Sequence, residues 1–208
     1  ATGNLACMCN VLRIAISYNS FDVLEDGYGI NLRPLSMFAA SAYRDDPCTR
    51  FKPHILDQNI YDVVDPGLVA KMHKAITVIQ FKVEGQIIRR HPEYGLNHRC
   101  LLEHVDFDKG TVEVDGKTYP MLDMKFPTID PKDPLKLTEQ EAELLQTLKM
   151  SFRHSGLLHK HIKFLYSHGS MYKCCNNNLL YHGCIPMKED GTFEELKLKG
   201  IIYSGKRL

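Results

Sequence analysis

The sequence lacks a charge excess of either sign: Lys plus Arg number 26 against 25 Asp plus Glu over 208 residues, a net charge of +1. No global field is therefore available to recruit nucleic acid or an anionic membrane surface. It also lacks an apolar stretch of the roughly eighteen residues that a membrane span needs, and no charged segment leads into an apolar core at its start. These absences predict a cytoplasmic protein with neither nucleic acid nor membrane as partner. Internal repeats and low-complexity tracts are missing too. So is an initiator methionine, and because an apolar pattern is already under way by Leu5, the chain reads as starting inside a domain.

The cysteines lack order. Seven is an odd number, and Cys7, Cys9, Cys48, Cys100, Cys174, Cys175 and Cys184 show neither a disulfide framework nor the C-x2-C spacing of a zinc site. Reduced thiols acting as small buried hydrophobes are the expectation.

What is present is an ordinary globular composition, 44% hydrophobic, enough for one substantial domain or two small ones. Residues 5–18 are apolar on nearly every side of a helix, through Leu5, Cys9, Leu12 and Ile16 with Ala6, Val11, Ile14 and Ala15 between them. Such a helix must be buried, against a sheet or bundle larger than the chain obviously supplies. Asp26-Gly27-Tyr28-Gly29 and Asn31-Leu32-Arg33-Pro34 read as turn and loop, with a short helix over 35–43. Asp65-Pro66 starts a long amphipathic helix toward Arg90, stopped by Pro92, with Leu68, Met72, Ile76, Ile79 and Val83 on its buried stripe. Lys71, Lys74 and Lys82 fall largely off that stripe.

Thr111 to Tyr119 alternates about Asp115-Gly116, the mark of a β-hairpin. Four prolines between 120 and 134 make an extended connector, and Thr138-x-x-Glu141 is a capping box opening a helix that buries Leu144, Leu145 and Leu148. A further helix is expected over 157–166. A second hairpin joins 171–175 to 179–181 across Asn176-Asn177-Asn178. The fold class is α/β or α+β.

Most polar clusters have an ordinary explanation. His154, His159 and His161 lack the i, i+4 spacing of helical zinc ligands and read as a solvated face, and His73 reads as surface. Arg33, in a loop rich in Gly and Asn, can hold a phosphate through its guanidinium fork, and a structural salt bridge explains it equally well. Arg89-Arg90 complement a helix C-terminus. His182 differs, because it ends an apolar strand and is followed by Gly183, an address where α/β proteins place ligands. A hydrogen-bonded strand-end histidine is the plainer alternative.

Five phrases carry a resemblance. Leu24-Glu25-Asp26-Gly27-Tyr28-Gly29-Ile30-Asn31-Leu32-Arg33-Pro34-Leu35, Lys71-Met72-His73-Lys74-Ala75-Ile76, Ile79-Gln80-Phe81-Lys82, Phe126-Pro127-Thr128-Ile129-Asp130-Pro131 and Asn178-Leu179-Leu180-Tyr181-His182-Gly183-Cys184-Ile185-Pro186 resemble class III (Firmicutes-type) fructose-1,6-bisphosphatases over essentially the whole chain. Those enzymes are similar to calcineurin-like metallophosphoesterases, a β-sandwich flanked by helices with two metal ions at one rim. The resemblance implies residues 1–35 as part of that core, 36–167 as a largely helical insertion, and 168–208 as a return to the core. It makes His182 the lone histidine of the fourth of five metal-site motifs; GDxH, GDxxDRG and GNHD would precede Ala1, and a GH element would follow Leu208.

The implied cofactor is a pair of divalent metal ions, manganese by expectation. The implied reaction converts fructose 1,6-bisphosphate to fructose 6-phosphate and phosphate in gluconeogenesis. Arg33, Lys71 and Lys74 become candidates for contact with the sugar bisphosphate, and the insertion can equally form a lid, an effector site or the interface of a homo-oligomer. Since one ligand cannot hold two metals, the isolated chain is expected to be inactive. A non-catalytic regulatory or assembly module of the same fold, and another phosphoesterase of the superfamily, are the competing readings.

Overall fold

The computed structural model describes residues 4–54, 65–170, 172–181, 183 and 186–205. The chain divides into two units, Ala1–His159 and Lys160–Leu208. Helix and strand are both present, and among the described residues the strands form three small antiparallel sheets, a mixed α and β structure.

The first unit is built around one long helix. In chain order come α1 (Leu5–Ser17), α2 (Phe21–Tyr28), α3 (Arg33–Ala42), α4 (Pro66–Arg90), β1 (Val105–Asp106), β2 (Thr111–Val114), β3 (Lys117–Pro120) and α5 (Glu139–His154). Local chemistry places their ends. Asn4 accepts hydrogen bonds from the amides of Ala6 and Cys7 at the start of α1, and Asp65 accepts from Gly67 and Leu68 with Pro66 in the first turn of α4. The Thr138/Glu141 capping box closes on itself as its spacing foretold. One apolar cluster then unites Met8, Leu12 and Ile16 of α1, Leu35 and Ala39 of α3, Ile76 and Ile79 of α4, and Leu145 and Leu148 of α5.

Four expectations are revised. Asp26, Gly27 and Tyr28, expected in a turn, are the last residues of α2: the glycine-rich signal belongs to the helix end, where Gly29 adopts the left-handed conformation (φ 66) that closes it. Arg33 is the first residue of α3 and Pro34 sits in its first turn, where a proline's missing amide costs nothing. Helix α1 is buried on one side, chiefly by α4 with smaller contacts to α2 and α5; Cys7, Val11, Ile14 and Tyr18 form an exposed stripe on the other. Lys74 and Lys82, expected off the buried stripe, are wholly buried because α4 is enclosed on a second side as well.

The hairpin of β2 and β3 pairs Thr111 with Pro120 and Val114 with Lys117, and its turn residues Asp115 (φ 50) and Gly116 (φ 72) are both left-handed, as a tight primed turn requires. Helix α6 (Gly156–His168) leads into the second unit. There, β4 (Tyr172–Cys175) and β5 (Asn178–Tyr181) pair across left-handed Asn176 and Asn177, and β6 (Glu195–Leu198) pairs with β7 (Ile201–Ser204) across Lys199 and Gly200. Leu179, Leu180, Ile201 and Ile202 on these strands are exposed.

The Thr138 cap anchors α5, so Thr138→Ala should lower unfolding free energy by about 1 kcal/mol. Urea denaturation should show a lower midpoint with an unchanged slope; an unmoved midpoint would show that the cap contributes nothing.

Candidate functional site

Two lysines one turn apart from Val78 on either side, Lys74 and Lys82, tie distant segments to α4. The Lys74 ammonium donates to Asp46 Oδ2 at 2.6 Å and to Asp123 Oδ2 at 2.7 Å. The rings of Phe51 and Phe126 lie 5.8 and 5.4 Å from the same nitrogen, an arrangement that favours the cation. Lys82 donates to the Thr128 carbonyl at 2.5 Å and to Glu141 Oε2 at 2.7 Å, and both side chains are fully buried. Glu141 Oε2 also accepts the Thr138 amide at 2.8 Å, while its Oε1 is buried without a hydrogen-bond partner among the described residues. Near Lys74, burial works against the charged form of Asp46, but hydrogen bonds from Lys74 and from the Cys48 amide outweigh it and hold the carboxyl below its ordinary range.

The residues marked by the sequence stand apart from one another. Lys74 spends its charge inside the protein and does not face solvent. Lys71 donates to the Arg44 carbonyl at 2.7 Å. Arg33 is exposed at the head of α3, without an ion pair among the described residues, on a hollow of about 290 Å³ shared with Glu25, Asp65 and Met72. His182 lies outside the described residues, although β5 ends at Tyr181 and Gly183 is left-handed (φ 81). Cys9, Cys48 and Cys100 are buried, and burial pushes the Cys9 and Cys48 thiols up to about 12, so they act as hydrophobes. Cys7, Cys174 and Cys175 are instead exposed. His73 is partly buried, and burial pushes its imidazole below the usual range while one ring nitrogen meets the Phe51 carbonyl at 3.0 Å.

A polar cleft between α1 and α4 went unmarked. Arg13 donates from Nε to Gln80 Oε1 and from Nη2 to Asn10 Oδ1, each at 3.0 Å, and Gln80 Nε2 donates to Glu84 Oε1 at 2.8 Å. The cleft measures about 770 Å³ and is also lined by Cys7, Thr77 and Arg99. The available signal was spacing: Asn10 and Arg13 are three apart on one helix, Gln80 and Glu84 four apart on another, so each pair shares a face. Nothing local says that the two faces meet.

Comparison with known proteins is unambiguous about kinship. The family model described as Firmicute fructose-1,6-bisphosphatase matches residues 1–208. The chain is 52% identical over 208 residues to the class 3 fructose-1,6-bisphosphatase of Listeria innocua, covering 100% of this chain and 32% of that protein. Identity is 50% to that of Clostridium novyi, with 31% of the relative covered, and 51% to that of Alkaliphilus metalliredigens, again with 31% covered. The chain thus spans about a third of the length of these relatives. No solved structure matches it.

Two outcomes follow from the buried pairs. Lys82→Met strands a buried carboxylate and should cost about 3–5 kcal/mol; Lys82→Met/Glu141→Gln, which leaves no buried charge and keeps the cap, should recover at least half, and a double variant as unstable as the single would refute the pairing. Because the folded carboxyl of Asp46 titrates below its unfolded value, its contribution is complete above about pH 4 and is lost as pH falls through the folded value. Unfolding free energy followed between pH 5 and 2 should therefore decline less steeply in Asp46→Asn than in the parent protein, and equal slopes would contradict this.

Proposed function

The chain belongs to the Firmicute fructose-1,6-bisphosphatase family, and from that premise we propose that it is one segment of an enzyme hydrolysing fructose 1,6-bisphosphate to fructose 6-phosphate and phosphate. The observation that carries the reading is the unbroken similarity over all 208 residues, at 52% identity to the Listeria innocua protein of that name. The coverage of about a third of each relative is why the reading concerns a larger polypeptide than this chain.

Within that enzyme His182 is assigned as one metal ligand. A neutral imidazole suits a divalent cation of the manganese type, and such a centre, when bound, supplies a hydroxide of lowered pKa and a clamp on the phosphate oxygens. Among the described residues no three His, Cys, Asp or Glu side chains come together as a metal site, so this chain is assigned a single ligand and not a complete centre. Arg33 and Lys71 are the proposed contacts to substrate phosphate. Arg33 has its fork exposed and unpaired among the described residues, whereas Lys71 would exchange its bond to the Arg44 carbonyl for one to phosphate. Lys74 is not assigned this role, because reaching a ligand would strand two carboxylates.

The calcineurin-like core is likewise a proposal. In its favour, the hairpins β4–β5 and β6–β7 are two-stranded and expose their apolar residues, and such ribbons are stable chiefly within a larger sheet. No helix among the described residues is long and apolar enough to cross a membrane, which accords with a cytoplasmic enzyme of central carbon metabolism.

Phosphate release tests the reading. A protein of the relatives' length containing this segment should hydrolyse fructose 1,6-bisphosphate with manganese present, and its His182→Ala variant should lose at least about a hundredfold in kcat. Residues 1–208 alone should show no turnover. Undiminished kcat in the variant, or turnover by the chain alone, would overturn the assignment.

A further inference from the structure

No residue of the cleft between α1 and α4 is assigned to the reaction just proposed, and its side chains form a connected hydrogen-bond network. Gln80 is buried, and the bonds around it run in one sense: Arg13 donates to Gln80 and Asn10, and Gln80 donates to Glu84. That arrangement fixes the guanidinium plane of Arg13, so little rotamer freedom is left to lose on binding. It also leaves particular groups over. The second Nη of Arg13 has no partner among the described residues, and the same holds for the Arg99 guanidinium. Glu84 has one oxygen, Oε2, outside the network.

Arginine donors held in a fixed plane match the oxygens of a phosphate monoester. A carboxylate oxygen in the same cleft repels a bare anion but accepts from a hydroxyl. Taken together these demands describe a ligand with phosphate at one end and hydroxyls along its body. The volume, about 770 Å³, exceeds what a bare phosphate fills and falls in the range of small-molecule sites. Past Phe81, Glu84 and Arg99, which both cavities share, the cleft continues into a second hollow of about 410 Å³.

We propose that this cleft binds a phosphorylated polyol, with Arg13 and Arg99 on the phosphate and Glu84 on a hydroxyl. The inference does not rest on the catalytic reading, for none of its residues is assigned to the reaction. Calorimetric titration of the 208-residue chain with fructose 6-phosphate, inorganic phosphate and fructose tests it. Fructose 6-phosphate should bind saturably, inorganic phosphate more weakly and in competition, and fructose not at all. Arg99→Gln, a change at an exposed side chain unpaired among the described residues, should raise the Kd for fructose 6-phosphate at least about tenfold with an unchanged Tm. Arg13→Gln should do the same, and Asn10→Ala, which frees the guanidinium without removing it, should weaken binding less. Absence of saturable binding, or an Arg99→Gln chain that binds as the parent does, overturns the proposal. So would loss of binding in Arg33→Gln with Arg99→Gln unaffected, which would place the ligand on the residues proposed for catalysis and leave that separate reading standing.

Discussion

An ammonium group with no access to water must keep its acid partners, and two such groups on α4 hold this fold together. Lys74 and Lys82 are both fully buried, and their partners Asp46, Asp123, Thr128 and Glu141 come from three different stretches of chain. A buried pair of this kind need not add net stability over a hydrophobic replacement. What it does impose is placement, because each partner left elsewhere would strand a charge. The connector after β3 is thereby drawn against the helix, so closely that a Cβ on Gly85 would stand 2.6 Å from a methyl carbon of Leu135. Any side chain at position 85 would force Leu135 to shift, so the glycine there suits the approach of Leu135 and not a special backbone conformation.

With one side of α4 fastened in this way, the side toward α1 becomes a fixed surface. Ile76 and Ile79 belong to the apolar cluster that also holds Met8, Leu12 and Ile16 of α1, while Gln80 meets Asn10 and Arg13 and is bonded in turn to Glu84. Arg13 is thereby bonded to a side chain of the helix that the two lysines fasten. The chain belongs to the Firmicute fructose-1,6-bisphosphatase family, and its two units differ in build: helices gathered around α4 in the first, and two-stranded hairpins with exposed apolar residues among the described residues of the second.

Local chemistry made much of this legible in advance. The Asp65 and Thr138 caps, the Asp115-Gly116 turn and the Asn176-Asn177 turn all depend on residues within four positions of one another, and all stand where expected. Gly29 was misread because a left-handed glycine ends a helix as readily as it makes a turn. The β6–β7 hairpin escaped notice since Lys199-Gly200 is a weaker signal than Asp-Gly, although Leu196, Leu198, Ile201 and Tyr203 alternate around it. The burial of Lys74 and Lys82 could not be foreseen from periodicity, which counts lysine as a surface residue; their acid partners lie 28, 49 and 59 positions away. Arg13 and Gln80, 67 positions apart, were hidden for the same reason.

The state of those two ammonium groups can be observed directly. Proton-detected nitrogen NMR of the lysine side chains at neutral pH resolves an ammonium only where its protons exchange slowly with water. Lys74 and Lys82 should each give such a signal while exposed lysines such as Lys109 and Lys160 do not. Exchange at Lys74 and Lys82 as fast as at the exposed lysines would mean that neither is sealed, and that the connector is not bound to α4 in the way described.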